Sequence, residues 1–300
     1  MEAKSLQAPR WARILNLCIL FLLAALILIP FFHVLAVSFN EGVDAQKGGI
    51  GFWPRIWTLE NYVEVFKQDN LLNGLLISIF RTVVGTVCGV GLMSMAAYAL
   101  TVKTLPGRSF FTFFIFFTML FGGGQVPYYL VLSQLKLTGS IWVYVIPSLY
   151  GTMNILLLRT QFSQLPYSVI ESARIDGASE FTIFRKLILP MSTPVLATVT
   201  LFTAVGHWND WFAGTFYVRD GSLKPLATLL QEMLTKQSAL SDILLRSGGN
   251  NSYAALDRIK VTGQSLQMAT IIVVLLPMLI SYPFVQKYFV KGITLGSIKE

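Results

Sequence analysis

Six apolar runs, each of about 18 residues or more, constrain this chain more than any other feature, because each is long enough to cross a bilayer as a helix. They fall roughly at Ile14–Val37, Leu72–Leu100, Phe110–Leu132, Ile141–Leu158, Leu187–Val205 and Met268–Phe289. The expected fold is therefore all-α and integral to a membrane, with six transmembrane helices. The balance of residues agrees: 54% of the 300 side chains are apolar and only 13% are charged. The net charge of +8 does not point to nucleic acid, because the basic residues are scattered between the apolar runs instead of forming a stripe. Cys18 and Cys88 both fall inside expected spans, which leaves neither a disulfide framework nor a zinc site.

Charge between the runs sets the topology. Lys4, Arg10 and Arg13 precede the first run, which is too long for a signal sequence and lacks a small-residue cleavage site, so residues 1–13 are expected in the cytoplasm. Residues 14–71 hold the first helix and a loop with five acids (Glu41, Asp44, Glu60, Glu64, Asp69) against three bases (Lys47, Arg55, Lys67), which belongs outside. Within it, Thr58 can cap a surface helix. Lys103, Arg108 and Arg159 mark cytoplasmic connections in the main membrane domain, residues 72–290. By parity the polar segment 212–265 lies outside, with helices expected around Leu226–Leu234 and Leu240–Leu245 and a Gly- and Asn-rich centre at Ser247–Ser252. Lysines in the last stretch place the tail, residues 291–300, in the cytoplasm.

Some polar residues lie at membrane depth. Arg81 sits about ten residues into the second run, where it can line a cavity, snorkel or pair with an external acid. Gly122-Gly123-Gly124 and Pro127 break the third run, and broken helices at this depth can line a pathway. Aromatic faces and amides suit hydroxyl-rich ligands, which makes Gln125, Tyr128, Tyr129, Asn154, Trp208 and Asn209 candidates for a substrate path. The alternatives are an outer belt of Tyr rings and an anchor of Trp208 and Trp211 beside a solvated Asp210. His207 reads as a boundary residue.

One polar interruption stands apart. From Pro166, which suits a first helical turn, to Gly177, which suits a left-handed stop, the chain predicts one short helix. Ser179 then caps a second helix beginning near Glu180, with Arg185 and Lys186 leading into the next run. The result is helix, sharp turn, helix. An ordinary amphipathic interfacial helix is the alternative.

Glu171, Ala173, Gly177 and Pro190 resemble the "EAA" loop of binding-protein-dependent ABC importer permeases, with Ser172 in place of the first alanine. Further likeness to the carbohydrate type lies in Trp57-Thr58-Leu59-Glu60-Asn61-Tyr62, in Ala96-Ala97-Tyr98-Ala99, in Trp208-Asn209, in Pro225 to Leu230 and in the tail from Gln286 to Glu300. The whole chain resembles the maltose-importer G kind of subunit. Arg81 to Thr86 and the long external loop lean toward permeases for oligosaccharides of polysaccharides such as alginate. The resemblance implies the type I importer permease fold with both termini cytoplasmic, in the cytoplasmic membrane. It implies a heterodimer with a homologous permease, two ATPase subunits that bind ATP and Mg, an extracytoplasmic sugar-binding protein and surrounding lipid. It also implies an ATPase-coupling set of Glu171, Ala173, Arg174, Asp176, Gly177 and Pro190. In that set Glu171 would make a charge-assisted contact, Ala173 would permit close approach and Gly177 would make the turn.

The motifs that are missing narrow the chemistry. There is no Gly-x-x-x-x-Gly-Lys-Ser/Thr to cradle ATP, and no His-Glu-x-x-His, Cys-x-x-Cys or Gly-x-Ser-x-Gly. No cofactor, metal ligand or catalytic residue is expected, and energy has to come from a partner. A stand-alone secondary transporter of a small polar solute would need coupling acids at the midplane and an inverted repeat. A membrane hydrolase would need more than His207 and Asp210.

Overall fold

A computed structural model describes residues 9–67, 69–246 and 261–296. Lys4, Ser247–Ser252 and the last four residues, to which sequence expectations attach, lie outside these. Apart from one isolated antiparallel bridge between Asn40 and Trp57, the regular structure among described residues is helical. In chain order the elements are α1 (Arg10–Ser38), α2 (Gly42–Gln46), α3 (Glu60–Lys67), α4 (Asp69–Ala99), α5 (Arg108–Leu120) and α6 (Gln125–Gln134). After two 3₁₀ turns, Ile141–Tyr144 and Ile146–Leu149, come α7 (Thr152–Phe162), α8 (Tyr167–Ile175) and α9 (Glu180–Ile183). A π turn at Phe184–Ile188 leads into α10 (Leu189–Met191) and α11 (Thr193–Asn209). Then follow α12 (Phe212–Tyr217), a 3₁₀ turn at Gly221–Leu223, α13 (Leu226–Arg246) and α14 (Gly263–Gly296).

Three helical stretches, Trp11–Ser38, Asn70–Ala99 and Gly263–Ile280, are long and apolar enough to cross a membrane unaided. Three further candidates are bent pairs, which brings the number of spans to six if each pair counts as one. The break in the third run falls at Phe121–Gly124, where Gly124 takes a positive φ of 83° and the chain turns through 119° between α5 and α6. Runs four and five, expected as continuous, are also broken. The fourth bends by 41° after Pro147, and the fifth by 85° at Ser192, which stands between Pro190 and Pro194, two residues without an N–H to continue a helix. Large apolar side chains such as Ile14, Phe21, Leu26 on α1 and Phe110, Phe113, Phe114 on α5 stand exposed, as side chains facing lipid do.

Two compact units divide the chain: one runs to Gln68 and includes Met233–Leu276, the other comprises Asp69–Glu232 with the chain from Pro277 onward. In the first, the chain after α1 closes into a polar clasp. Asn40 Oδ1 accepts the N–H groups of Arg55 (2.7 Å) and Ile56 (2.9 Å), and its amide donates to Asp44 Oδ2 at 2.9 Å. Arg55 Nε donates to the same oxygen at 2.9 Å, and Asn61 donates to the carbonyls of Ser38 and Asn40. Helix α3 begins at Glu60, two residues beyond the start expected, and Thr58 Oγ1 accepts the Glu60 N–H. Ala36, Val37, Ala45 and Ile50 form a small apolar core beneath the clasp.

In the second unit α4 packs along α11 and α7. Its core joins Met93, Ala97, Tyr98 and Leu100 of α4 and its end to Ile155, Leu158 and Phe162 of α7, Ile183, Phe184 and Ile188 of the α9 run, and Val199 of α11. The two helices expected at Leu226–Leu234 and Leu240–Leu245 are one continuous helix, α13. Thr235, Lys236, Gln237 and Ser238, which lie between the two expected helices, are residue types tolerated in a helix interior, and Lys and Gln are good helix formers.

Candidate functional site

Two sites emerge in the second unit. The first is the helix, turn, helix at residues 166–191. Helix α8 ends in a Schellman turn: Gly177, at φ +82°, donates to the Arg174 carbonyl, and the Ala178 N–H reaches back to the Ala173 carbonyl, both at 3.0 Å. A Cβ on Gly177 would meet nothing within 4 Å, so backbone conformation alone requires glycine there. Ser179 then caps α9, its Oγ accepting the Thr182 N–H at 3.3 Å. The turn is therefore fixed by local signals on both sides.

The two faces of α8 differ. Ile170 and Ala173 lean on the core, whereas Glu171 and Ile175, four residues apart, stand exposed; Tyr167 is half exposed, with Lys103 Nζ 5.5 Å from its ring centre. Ile175 is 81% exposed, and Phe181 across the turn is 61% exposed. Glu171 and Asp176 are exposed, Arg174 Nε donates to Glu180 Oε1 at 2.9 Å, and Pro190 stands exposed on α10.

The second site is a cavity of about 370 Å³ between α4, α7 and α11, closed in part by α6 and α12. Tyr128, Tyr144, Tyr217, Asn154, Thr203 and His207 give it aromatic faces and polar tips, and Arg81 and Asp210 lie in its wall. Arg81, only 2% exposed, donates through Nη2 to Asp210 Oδ2 at 2.5 Å and through Nη1 to the Asp210 carbonyl at 2.8 Å, while its guanidinium carbon lies 4.6 Å from the Tyr144 ring centre. The second carboxylate oxygen of Asp210 accepts the N–H groups of Phe212 (2.9 Å) and Ala213 (3.2 Å) and so starts α12. His207 is 5% exposed and packs so tightly on α4 that a Cβ at Gly85 would overlap its ring.

Of the path candidates, Tyr128 and Asn154 line the cavity. Tyr129 has its ring 6.2 Å from that of Tyr217, Gln125 stands exposed at the start of α6, Trp208 is buried and Asn209 ends α11. Asp210 is a counter-ion held by a buried arginine rather than a solvated boundary residue. Sequence reasoning singled out Arg81 without its partner, since nothing local connects residues 129 positions apart. Tyr144 and Tyr217 were missed because a tyrosine near a span end looks like any interfacial tyrosine.

A multi-pass membrane chain with a polar cavity between its helices and an outward-facing helical turn is what a transport-system component requires. Residues 5–295 match the family described as binding-protein-dependent transport system inner membrane component, and the chain belongs to that family. Among its relatives, the polygalacturonan/rhamnogalacturonan transport system permease protein YtcP of Bacillus subtilis is 35% identical over 93% of this chain and 95% of its own length. Protein LplC of the same organism is 35% identical over 99% of both chains. A solved bacterial ABC transporter involved in the import of the acidic polysaccharide alginate has a chain that superposes with a TM-score of 0.81 at 30% identity, covering 94% of this chain and 99% of that one.

Proposed function

We propose that this chain is a permease subunit of an ATP-binding-cassette sugar importer. It forms the membrane path together with a homologous permease, receives an oligosaccharide from an extracytoplasmic binding protein, and is driven by two ATPase subunits that supply the bound ATP and Mg. The observation that carries this reading is α8. A short helix, stopped by Gly177 and resting on Ile170 and Ala173, presents Glu171 beside the exposed Ile175, with Phe181 exposed across the turn, so that one charge stands among apolar side chains. Such a face fits a groove in a partner. On this reading both termini are cytoplasmic, with α8 on the same side.

The cavity with its tyrosines and Asn154 is the proposed substrate path. Sugars offer apolar ring faces and many hydroxyls, which tyrosine rings and amides match. The likeness to YtcP and to the alginate importer supports an oligosaccharide of an acidic polysaccharide as the cargo. The Arg81–Asp210 pair leaves the wall close to neutral, so the pair would orient a uronate without trapping it.

The test is co-purification of the chain with its ATPase subunit from detergent. Wild type is expected to retain the ATPase. Glu171→Ala should weaken retention, and Gly177→Val, which cannot take the left-handed conformation without about 1–2 kcal/mol of strain, should abolish it. Retention by both variants equal to wild type would remove α8 as the docking element.

A further inference from the structure

Helix α8 is poorly seated for an element that has to transmit force. A cavity of about 230 Å³ lies beneath it, lined by Tyr98, Lys103, Phe162, Tyr167, Ile170 and Arg174 among others. Its apolar supports, Ile170 and Ala173, make contacts that are not directional and resist sliding weakly. A displacement imposed on α8 would be absorbed by this slack unless something directional spans the gap.

One residue links two of the side chains that line this cavity, Tyr98 and Arg174. Glu180, the first residue of α9, uses its two carboxylate oxygens for two different helices. Oε2 accepts the Tyr98 O–H at 2.6 Å, at the end of α4, and Oε1 accepts Arg174 Nε–H at 2.9 Å, on α8. The Tyr98 side of this arrangement is rigid. Tyr98 is 7% exposed and its ring lies 5.6 Å from Phe184 in the core. The carboxylate itself sits at the positive end of the short helix that Ser179 caps. An exposed Arg174–Glu180 pair alone would contribute little to stability. As one arm of a three-helix junction it has another use, because short, oriented hydrogen bonds fix relative position as well as energy.

We propose that Glu180 is a positioning residue, a node joining α8 to the end of α4 through Tyr98 and to the α9 run that leads into α11, so that movement of α8 reaches both spans. The proposal rests on the reading of α8 as the element an ATPase subunit grips. It assigns Tyr98, Arg174 and Glu180 to coupling as distinct from docking.

The experiment uses the whole importer reconstituted in vesicles, with its partner permease, ATPase subunits and binding protein, and reads ATP hydrolysed per sugar delivered. Tyr98→Phe removes one oxygen and keeps the ring packed on Phe184. It is expected to leave ATPase stoichiometry in the purified complex unchanged while raising ATP used per sugar about fivefold, the factor that one lost hydrogen bond is worth. Glu180→Gln should act in the same direction. Arg174→Glu and Glu180→Arg should each uncouple, and the double exchange should recover the arm between α8 and α9 while leaving Tyr98 unmatched, giving a ratio between wild type and either single variant. An unchanged ratio in Tyr98→Phe and Glu180→Gln overturns the proposal while leaving the docking reading intact. Loss of the ATPase subunit from Glu180→Gln also overturns it, because the residue would then serve docking. If the wild-type complex itself holds no ATPase, the docking reading has failed instead.

Discussion

A guanidinium that is 2% exposed has to meet a counter-ion, and Arg81 meets Asp210 with two hydrogen bonds. Removing one member of such a pair strands the other. Asp210 is itself about a third exposed at its side chain, so the expected loss for Asp210→Ala is toward the low end of about 3–5 kcal/mol. The double change Arg81→Met with Asp210→Leu should recover much of that loss. Thermal unfolding of the detergent-solubilised chain measures both, and equal loss in the single and double variants would show that the pair is not what holds α4 to the start of α12. At this scale the sequence was partly legible. Gly177, Ser179 and Pro166 announce the turn because capping is a local matter settled within a few residues. Arg81 announced only its own expense. Its partner, and the fit of His207 against Gly85, depend on which helices meet, and no local pattern encodes that.

Among the elements, the clasp after α1 shows how a loop read only for its acids becomes structure. Hydrogen bonds from Asn40 and then Arg55 hold the Asp44 carboxyl below the usual carboxylate value. Because the folded value is lowered, the clasp's stability is fully present above the ordinary range, about 3.9, and is lost as pH falls through the lowered value. Protection of the Arg55 and Ile56 amides against hydrogen exchange should therefore fall between about pH 5 and about pH 2 and not at neutral pH. Asp44→Asn should flatten that dependence, and a loss centred near pH 6 to 7 would point to another group. The apolar runs were legible as elements because length and hydropathy suffice to find them. Their breaks were less so. Gly122–Gly124 was an open signal, but the bend at Ser192 arises from Pro190 and Pro194 acting together, each of which alone could sit in a first helical turn.

For the molecule as a whole, the exposed apolar side chains of the long helices make a prediction about chemistry that water would normally permit. Cys18 on α1 and Cys88 on α4 are both exposed free thiols. A charged reagent does not enter hydrocarbon, so it cannot reach a thiol held there. In intact membrane vesicles a charged maleimide should label neither, and both should react after denaturation in sodium dodecyl sulfate. Labelling of Cys88 in intact vesicles would mean that this face of α4 meets water. Membership of the transport family was the most legible property of all, since it rests on a motif with fixed spacing and on a match over nearly the whole chain.

The elbow at Ser192 has a mechanical consequence. Its two arms, residues 180–191 and 193–209, stand 85° apart and measure about 18 Å and about 25 Å at 1.5 Å per residue. If the elbow keeps its angle, it works as a bell crank: a sideways shift at the Glu180 tip is turned through a right angle and enlarged by about 1.4 at the far tip, beside His207 and Asp210. An ångström of travel at one end of the crank would thus become about 1.4 Å at the cavity wall, with no helix having to stretch or unwind.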